Sequence, residues 1–187
     1  HLQVTESVNP VTEVKERRES LLFPRYHQYQ AVTQLVETAR SEGAGKKYLI
    51  QHSAGSGKTN SIAWLAHRLS SLHDAQDEKM FDSVVVITDR TVLDDQLQEA
   101  IFQIDHKQGM VVPIGDRIKT GTTGSFTSKS QALADALEKR APIIIVTIQT
   151  FPFALQAMTG SNALQGRRFA IIADEAHSSQ TGMAAAT

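Results

Sequence analysis

Solid apolar runs are the clearest feature of the hydrophobic pattern along the chain. Residues 84–87 are Val-Val-Val-Ile, residues 143–146 are Ile-Ile-Ile-Val, and residues 168–173 are Arg-Phe-Ala-Ile-Ile-Ala. Continuous runs rich in β-branched residues are typical of strands that are buried on both faces of a sheet. The pattern also predicts shorter strands at residues 48–50 and 110–114.

The segments between these runs carry apolar residues at three- and four-residue spacing, which is the period of an amphipathic helix. The predicted helices span residues 25–42, 59–72, 91–104, 131–140 and, as a short element, 151–158. Gly43 and Gly45 end the first of them. Residues 1–22 are polar and charged, and we interpret them as a linker that leads into the domain or as a short helix. Residues 120–130 are small and polar and predict a mobile loop.

The order of these elements predicts the fold class. Strands that alternate with helices, and that are solid apolar runs, favour an α/β domain with a mainly parallel sheet covered on both faces. Ligands bind such sheets at the carboxyl ends of the strands. A glycine-rich loop at residues 51–60 and an acidic cluster at residues 174–177 each follow a predicted strand directly. We therefore expect the loop and the cluster to converge at one edge of the sheet.

Composition and charge limit the possible classes of protein. The 187 residues are 41% hydrophobic and 21% charged, which is typical of one soluble globular domain. The net charge is −1, so no overall basic field points to nucleic acid, although a local basic face would suffice. Cysteine is absent, which excludes disulfides and thiolate metal sites. No apolar run approaches the ~20 residues of a membrane helix. Because the first residue is His1, we hypothesise that the sequence is a piece of a longer protein.

The loop QHSAGSGKTN carries the pattern of a phosphate-binding loop. Gly55 and Gly57 allow the tight backbone that turns N–H groups toward phosphate oxygens, and the following helix offers its positive N-terminal end. Lys58 would contact the β- and γ-phosphates of ATP, and the Thr59 hydroxyl would hold Mg²⁺. The strict pattern has glycine where this chain has His52, which we interpret as a packing residue. The alternative is a flexible glycine-serine loop without a ligand.

The tetrapeptide Asp174-Glu175-Ala176-His177 follows the last apolar run. A carboxylate at a strand end, across from a phosphate loop, can hold Mg²⁺ through its water shell. The adjacent glutamate can orient and deprotonate the attacking water. Alone, the same residues would suit an exposed acidic helix start. Together with the phosphate loop, they predict a metal-side carboxylate at Asp174 and a base at Glu175. His177 stays open, since a histidine after two acids is often a hydrogen-bonded structural group.

Four segments in chain order carry a family resemblance: RYHQYQAV, SAGSGKTNSIAWLAHRL, TDRTVLDDQL and ADEAHSSQTG. The phosphate loop and the DEAH tetrapeptide resemble the first motor domain of superfamily 2 helicases and translocases. All four segments together resemble the restriction (R) subunit of type I restriction-modification enzymes. The resemblance covers residues 23–182. It implies a three-layer α/β/α, RecA-like P-loop NTPase domain over residues 23–187, truncated after the DEAH motif.

The resemblance also implies roles for individual residues. Gln28 would recognise the adenine, because an amide offers both a donor and an acceptor. The implied ATP-binding residues are Gln28, Arg25, Ala54, Gly55, Ser56, Gly57, Lys58 and Thr59. The implied catalytic residues are Glu175, Lys58 and Asp174, and the implied Mg²⁺ ligands are Thr59 and Asp174. The implied nucleic-acid contacts are Thr88, Arg90, Thr91 and Thr147. For these last positions, a helix cap with a solvated charge is an equally good alternative.

The function that the resemblance implies is ATP-dependent translocation on double-stranded DNA before cleavage by a separate endonuclease domain. The implied protein is cytoplasmic, bacterial or archaeal, with no membrane association. Its partners would be double-stranded DNA, the methyltransferase (M) and specificity (S) subunits, and a second motor domain of the same full-length chain. Transition-state arginines contribute ~10³–10⁵ in rate to related phosphoryl transfer. Since the second domain would supply them, we expect the isolated domain to bind ATP–Mg²⁺ weakly and to hydrolyse it poorly.

Two alternatives remain open from the sequence. Another superfamily 2 motor, such as a chromatin-type translocase or an RNA helicase, shares the phosphate loop and the DEAH tetrapeptide but should lack the S-S-Q tail. From a different class, the domain could be a nucleotide-gated docking module without motor activity. The presence of Lys58 and Glu175 argues against that module.

Overall fold

The computed structural model of the protein describes residues 2–8, 15–88, 91–104, 110–114, 129–152 and 164–174. Within these ranges the strands are β1 (Leu2–Val8), β2 (Lys15–Leu21), β3 (Ser83–Thr88), β4 (Val111–Ile114), β5 (Ile143–Thr147) and β6 (Phe169–Ala173). The helices are α1 (Tyr26–Glu42), α2 (Lys58–Ser70), α3 (Thr91–Ile104) and α4 (Lys129–Glu138). None of the helices in the described ranges is long and apolar enough to cross a lipid bilayer.

Strands β3 to β6 form one parallel sheet in the order β4-β5-β3-β6. The register places Val84 of β3 beside Ile143 of β5 and Ala170 of β6. Parallel strands all end at the same edge of a sheet, so Thr88, Thr147 and the residue after β6 lie along one line. This is the edge at which parallel sheets bind their ligands.

The sheet is the middle of three layers. Val84 and Val86 pack with residues of α1, α2 and α3 on one face, whereas Val85 and Ile87 pack with α4 on the other. Because side chains alternate between the faces of a strand, a strand covered on both sides must be apolar at every position. The runs at residues 84–87 and 143–146 therefore have the predicted cause. The run at residues 168–173 does not, because β6 is only partly buried and Ile171 is 55% exposed. The α/β/α fold with a parallel sheet is confirmed.

Helix α1 is fixed to the sheet by one stripe of buried residues. Val32, Val36 and Ala39 recur at four- and three-residue spacing and belong to the same apolar cluster as Val84. The helix ends at Gly43, whose φ of +75° favours glycine. The buried stripe also includes a polar residue at its N-terminal end, Gln28, which lies beside the glycine-rich loop.

The predicted strand at residues 48–50 is wrong. Residues 46–50 lie outside helices and strands, and Leu49 is 88% exposed. Three apolar residues form too few ladder hydrogen bonds to hold a strand without a paired neighbour. Instead, Tyr48 Oη donates to Glu42 Oε2 at 2.9 Å, which ties the segment to the end of α1. Partial desolvation raises the pKa of the Tyr48 phenol, and the hydrogen bond to Glu42 and its negative charge raise it further.

The N-terminal segment also differs from one of its two interpretations. β1 and β2 form an antiparallel pair in which Leu2 lies opposite Leu21 and Val8 opposite Lys15, so the short helix is wrong. Leu2, Val4 and Val8 alternate with polar residues, which is the period of a strand, but the charged run that follows obscures this pattern. The role of residues 1–22 as a linker stays a prediction.

The remaining predicted elements are found with small shifts of their bounds. The helices predicted at residues 25–42, 59–72, 91–104 and 131–140 correspond to α1, α2, α3 and α4, and the strand predicted at residues 110–114 corresponds to β4. Residues 153–158 of the predicted short helix and residues 120–128 of the predicted loop lie outside the described residues.

The sheet predicts a sharp contrast between two isoleucine-to-alanine substitutions. Ile145→Ala removes a fully buried side chain from β5 and should lower the free energy of unfolding by about 3 kcal/mol, since it leaves a cavity. Ile171→Ala, at a β6 position that is 55% exposed, should lower it by less than about 1 kcal/mol. Urea denaturation of both variants measures the difference. Equal losses would show that the core does not lie at the centre of the sheet.

Candidate nucleotide-binding site

The glycine-rich loop turns directly into α2. Gly55 and Gly57 have φ angles of +73° and +82°, the left-handed region in which glycine carries no Cβ penalty. The Gly57 carbonyl accepts hydrogen bonds from Asn60 N at 3.1 Å and Ser61 N at 3.3 Å, which begin the helix. Lys58 is therefore the first helical residue, and the positive end of α2 lies at the loop.

Helix α1 holds the other side of the loop. Gln28 is 3% exposed, and its Nε2 donates to Ser56 O at 3.2 Å and to Gly57 O at 2.9 Å. Its Oε1 accepts from Arg25 N at 2.8 Å. His27 Nε2 donates to Ser56 O at 3.1 Å. The structure thus brings the predicted adenine-binding residue to the loop, but it places the Gln28 amide on the loop backbone.

A cavity of about 640 Å³ lies between α1 and the loop, and Arg25, His27, His52 and Ala54 line it. The His27 and His52 rings lie 5.5 Å apart at an angle of 52°. His52 therefore packs against a ring of α1 beside the loop, as the sequence interpretation has it. Arg25 lines the same cavity, and its contact with a nucleotide stays a prediction.

A larger cavity of about 940 Å³ lies between α2 and β6, and both Lys58 and Asp174 line it. Asp174 follows β6 directly, and its N–H donates to Ile87 O of β3 at 2.9 Å. The loop lysine and the predicted metal-side carboxylate thus border one extended space, which also runs along residues 43–52 and the whole length of β6. The expected convergence of the loop and the acidic cluster stays a prediction, which this shared lining supports.

The groups around the loop fit a phosphate ligand. Ser56 Oγ is buried and has no hydrogen-bond partner among the described residues. A buried hydroxyl without a partner costs about 1–3 kcal/mol, which a bound acceptor would relieve. The left-handed glycines, the N-terminal end of α2 and Lys58 supply backbone donors and positive charge at this loop.

The structure does not describe several of the predicted site residues. Glu175, His177 and Arg90 lie outside the described residues, and of Thr91 only the position at the start of α3 is described. Thr88 and Thr147 lie side by side at the carboxyl ends of β3 and β5. They are 1% and 5% exposed, and Thr147 Oγ1 lies 3.1 Å from Thr150 Oγ1. Their hydroxyls are buried here, and contact with nucleic acid stays a prediction.

The contact of His27 with the loop was missed by sequence reasoning. His27 and Ser56 are 29 residues apart, and neither the spacing nor the composition of the α1 segment indicates that they meet. The contact depends on how α1 packs beside α2, which is set by the apolar stripe of each helix.

A phosphate loop at the start of a helix, facing an acidic residue that follows a parallel strand, defines a P-loop nucleotide-binding domain. A family profile makes the assignment narrower: the SWI2/SNF2 ATPase profile matches residues 27–187, and the chain belongs to this family. Comparison with curated proteins and with solved structures found no match. Membership identifies a superfamily 2 helicase-like motor domain of the ATP-hydrolysing kind, for which ATP binding is implied.

The two glycines of the loop differ in one testable respect. A Cβ at Gly57 would lie 2.5 Å from Gln28 Nε2, whereas a Cβ at Gly55 would meet nothing within 4 Å. Both substitutions to alanine add backbone strain of about 1–2 kcal/mol, because both residues have positive φ. Gly57→Ala should therefore lower the free energy of unfolding more than Gly55→Ala does. Urea denaturation of the two variants checks this, and a larger loss for Gly55→Ala would contradict the Gln28 contact.

Proposed function

We propose that this domain is the first motor domain of the R subunit of a type I restriction enzyme. In the full-length protein, its ATP hydrolysis drives translocation along double-stranded DNA before a separate endonuclease domain cleaves. The observation that carries the ATPase part is the shared cavity of Lys58 and Asp174, in a chain of the SWI2/SNF2 ATPase family. The restriction part is supported by the four sequence segments, above all by the S-S-Q tail after the DEAH tetrapeptide.

The described residues suit the binding of ATP with Mg²⁺. Lys58 and the N-terminal end of α2 would attract the β- and γ-phosphates. Thr59 of α2 and Asp174, which follows β6, would hold the ion. When bound, Mg²⁺ neutralises negative charge on the phosphates. Glu175 follows Asp174 in the chain and would orient the attacking water.

DNA would be contacted at the same edge of the sheet. Thr88 and Thr147 end neighbouring strands at this edge, and Arg90 and Thr91 follow Thr88 in the chain. Contacts to the DNA backbone carry no sequence information. Target choice would therefore belong to the specificity subunit, and the methyltransferase subunit would complete the complex. Two motor domains that close on ATP and open on release would convert hydrolysis into movement.

A chromatin-type translocase is the second candidate. The match to the SWI2/SNF2 ATPase family favours it as much as it favours a restriction motor, since the match establishes the motor class alone. The S-S-Q tail favours the restriction motor. Adjacent genes for a methyltransferase and a specificity subunit would support the restriction motor, and their absence would support the translocase.

The loop lysine provides the first test of nucleotide binding. Lys58→Ala removes a charge-assisted contact with the phosphates and should raise the Kd for ATP–Mg²⁺ about 10- to 100-fold. Lys139→Ala is the matched control, because Lys139 follows α4 directly, is exposed and pairs with Asp135. Titration calorimetry measures both variants. Unchanged ATP affinity in Lys58→Ala would exclude the loop as the phosphate site.

Measurements on the full-length protein distinguish a motor domain from a docking module. Glu175→Gln should leave ATP binding intact but lower DNA-stimulated hydrolysis on the order of 10²-fold or more, because the general base is lost. Translocation on double-stranded DNA should stop with it. Glu37→Gln, on the exposed face of α1, is the control. If Glu175→Gln retains every function of the full-length protein, the domain is a docking module.

A further inference from the structure

A hydrogen bond joins the helix that begins at the phosphate loop to the helix that follows β3. His67 Nε2 of α2 donates to Ile101 O of α3 at 2.8 Å. We propose that His67 is a positioning residue that couples the nucleotide site to DNA contacts at the start of α3. The proposal rests on the proposed function, because it assigns the regulation of that ATP site by double-stranded DNA.

The two helices begin at the predicted ligand sites. α2 starts at Lys58, directly after the phosphate loop, and α3 starts at Thr91, three residues after Thr88 ends β3. His67 lies nine residues after the start of α2, and Ile101 lies ten residues after the start of α3. At a rise of ~1.5 Å per residue, these positions are about 14 Å and about 15 Å along their helices. The bond therefore joins the two helices at nearly the same distance from their starts.

The Ile101 carbonyl is a suitable acceptor for a side chain of α2. α3 ends at Ile104, and the last four carbonyls of a helix have no partner within the helix. They also carry the negative end of the helix dipole, which favours a donor. Because a carbonyl can only accept, Nε2 of the His67 ring carries the proton. The His67 imidazole is thus a cap for α3 that α2 supplies.

This bond fixes the position of α3 along α2. The two helices contact each other directly, and Ala66 of α2 and Leu97 and Ile101 of α3 belong to one apolar cluster. Apolar contacts are non-directional, and packed helices can slide past one another in small shear movements. A hydrogen bond instead requires a narrow range of distance and direction. A displacement of α2 when phosphate binds at Lys58 is therefore transmitted to α3 and to Thr91 at its start.

The test measures how strongly one ligand changes the affinity for the other. It uses the full-length protein with the methyltransferase and specificity subunits, and a DNA duplex selected for binding to the wild-type complex. The Kd of a fluorescent, non-hydrolysable ATP analogue with Mg²⁺ is measured with and without this duplex. The ratio of the two Kd values is the coupling factor, and linkage requires the same factor for the duplex with and without the analogue.

Three variants separate the hydrogen bond from the packing around it. His67→Leu removes the donor and keeps a side chain that can pack at this partly buried position. His67→Gln keeps an N–H donor at the position of Nε2. Ser71→Ala is the matched control, because Ser71 Oγ donates at the same end of α2 to the His67 and Arg68 carbonyls of its own helix.

A positioning role predicts a loss of coupling without a loss of binding. His67→Leu should move the coupling factor about fivefold toward one, as expected for one neutral hydrogen bond, while the Kd of each ligand alone changes less than about twofold. His67→Gln should retain most of the wild-type coupling, and Ser71→Ala all of it. A cap that merely stabilises α3 would lower the thermal unfolding midpoint and leave the coupling factor unchanged, since the factor is a ratio of Kd values.

Unchanged coupling in His67→Leu would overturn the proposal, and so would an equal loss in His67→Gln or in Ser71→Ala. If His67→Leu is unfolded at the assay temperature, His67→Asn decides in its place, because its shorter side chain does not bring a donor to the Ile101 carbonyl. A wild-type complex whose ATP affinity does not respond to DNA would instead refute the proposed DNA motor, whatever the His67 variants do.

Discussion

The structure depends on the burial of β3 and β5 on both faces. Each strand is covered by α1, α2 and α3 on one side and by α4 on the other, so both must be apolar at nearly every position. The strands are parallel, and crossover connections between parallel strands place helices on the faces of the sheet. Parallel strands also all end at one edge. The same apolar burial that stabilises the domain thus decides where its polar chemistry is placed. The apolar residues of β3 and β5 contact no ligand, yet their burial places Asp174, Thr88 and Thr147 at that edge.

The loop is positioned by a second constraint, which is the fixed place of α1 beside α2. Ser56 and Gly57 have backbone carbonyls that need partners, and Gln28 and His27 supply them from α1. A glycine-rich loop on its own would lose much conformational entropy when it closes on a phosphate. In the folded protein, the hydrogen bonds of the buried Gln28 amide already order part of the loop, so less entropy is lost on binding. The site therefore combines a glycine-rich loop with the neighbouring helix α1, which holds it in place.

The sequence was sufficient for the sheet because short, β-branched apolar runs that alternate with helical periods favour strands over helices. It was also sufficient for Gly55, Gly57 and Lys58, since their roles depend on local backbone geometry. It failed for residues 48–50, where three apolar residues give the same pattern whether or not a neighbouring strand pairs with them. It failed for the contacts of Gln28 and His27, because these join residues 28 or 29 positions apart and depend on helix packing.

The sheet order has a mechanical consequence for the site. Among the described residues, β3 and β5 each pair with a strand on both sides, whereas β6 pairs only with β3. Asp174 is carried by β6, so its position depends on one ladder of hydrogen bonds and on its own bond to Ile87. Lys58 is carried by a helix start that α1 braces through Gln28. Asp174 is therefore held by fewer main-chain neighbours than Thr88 and Thr147, which end strands that pair on both sides.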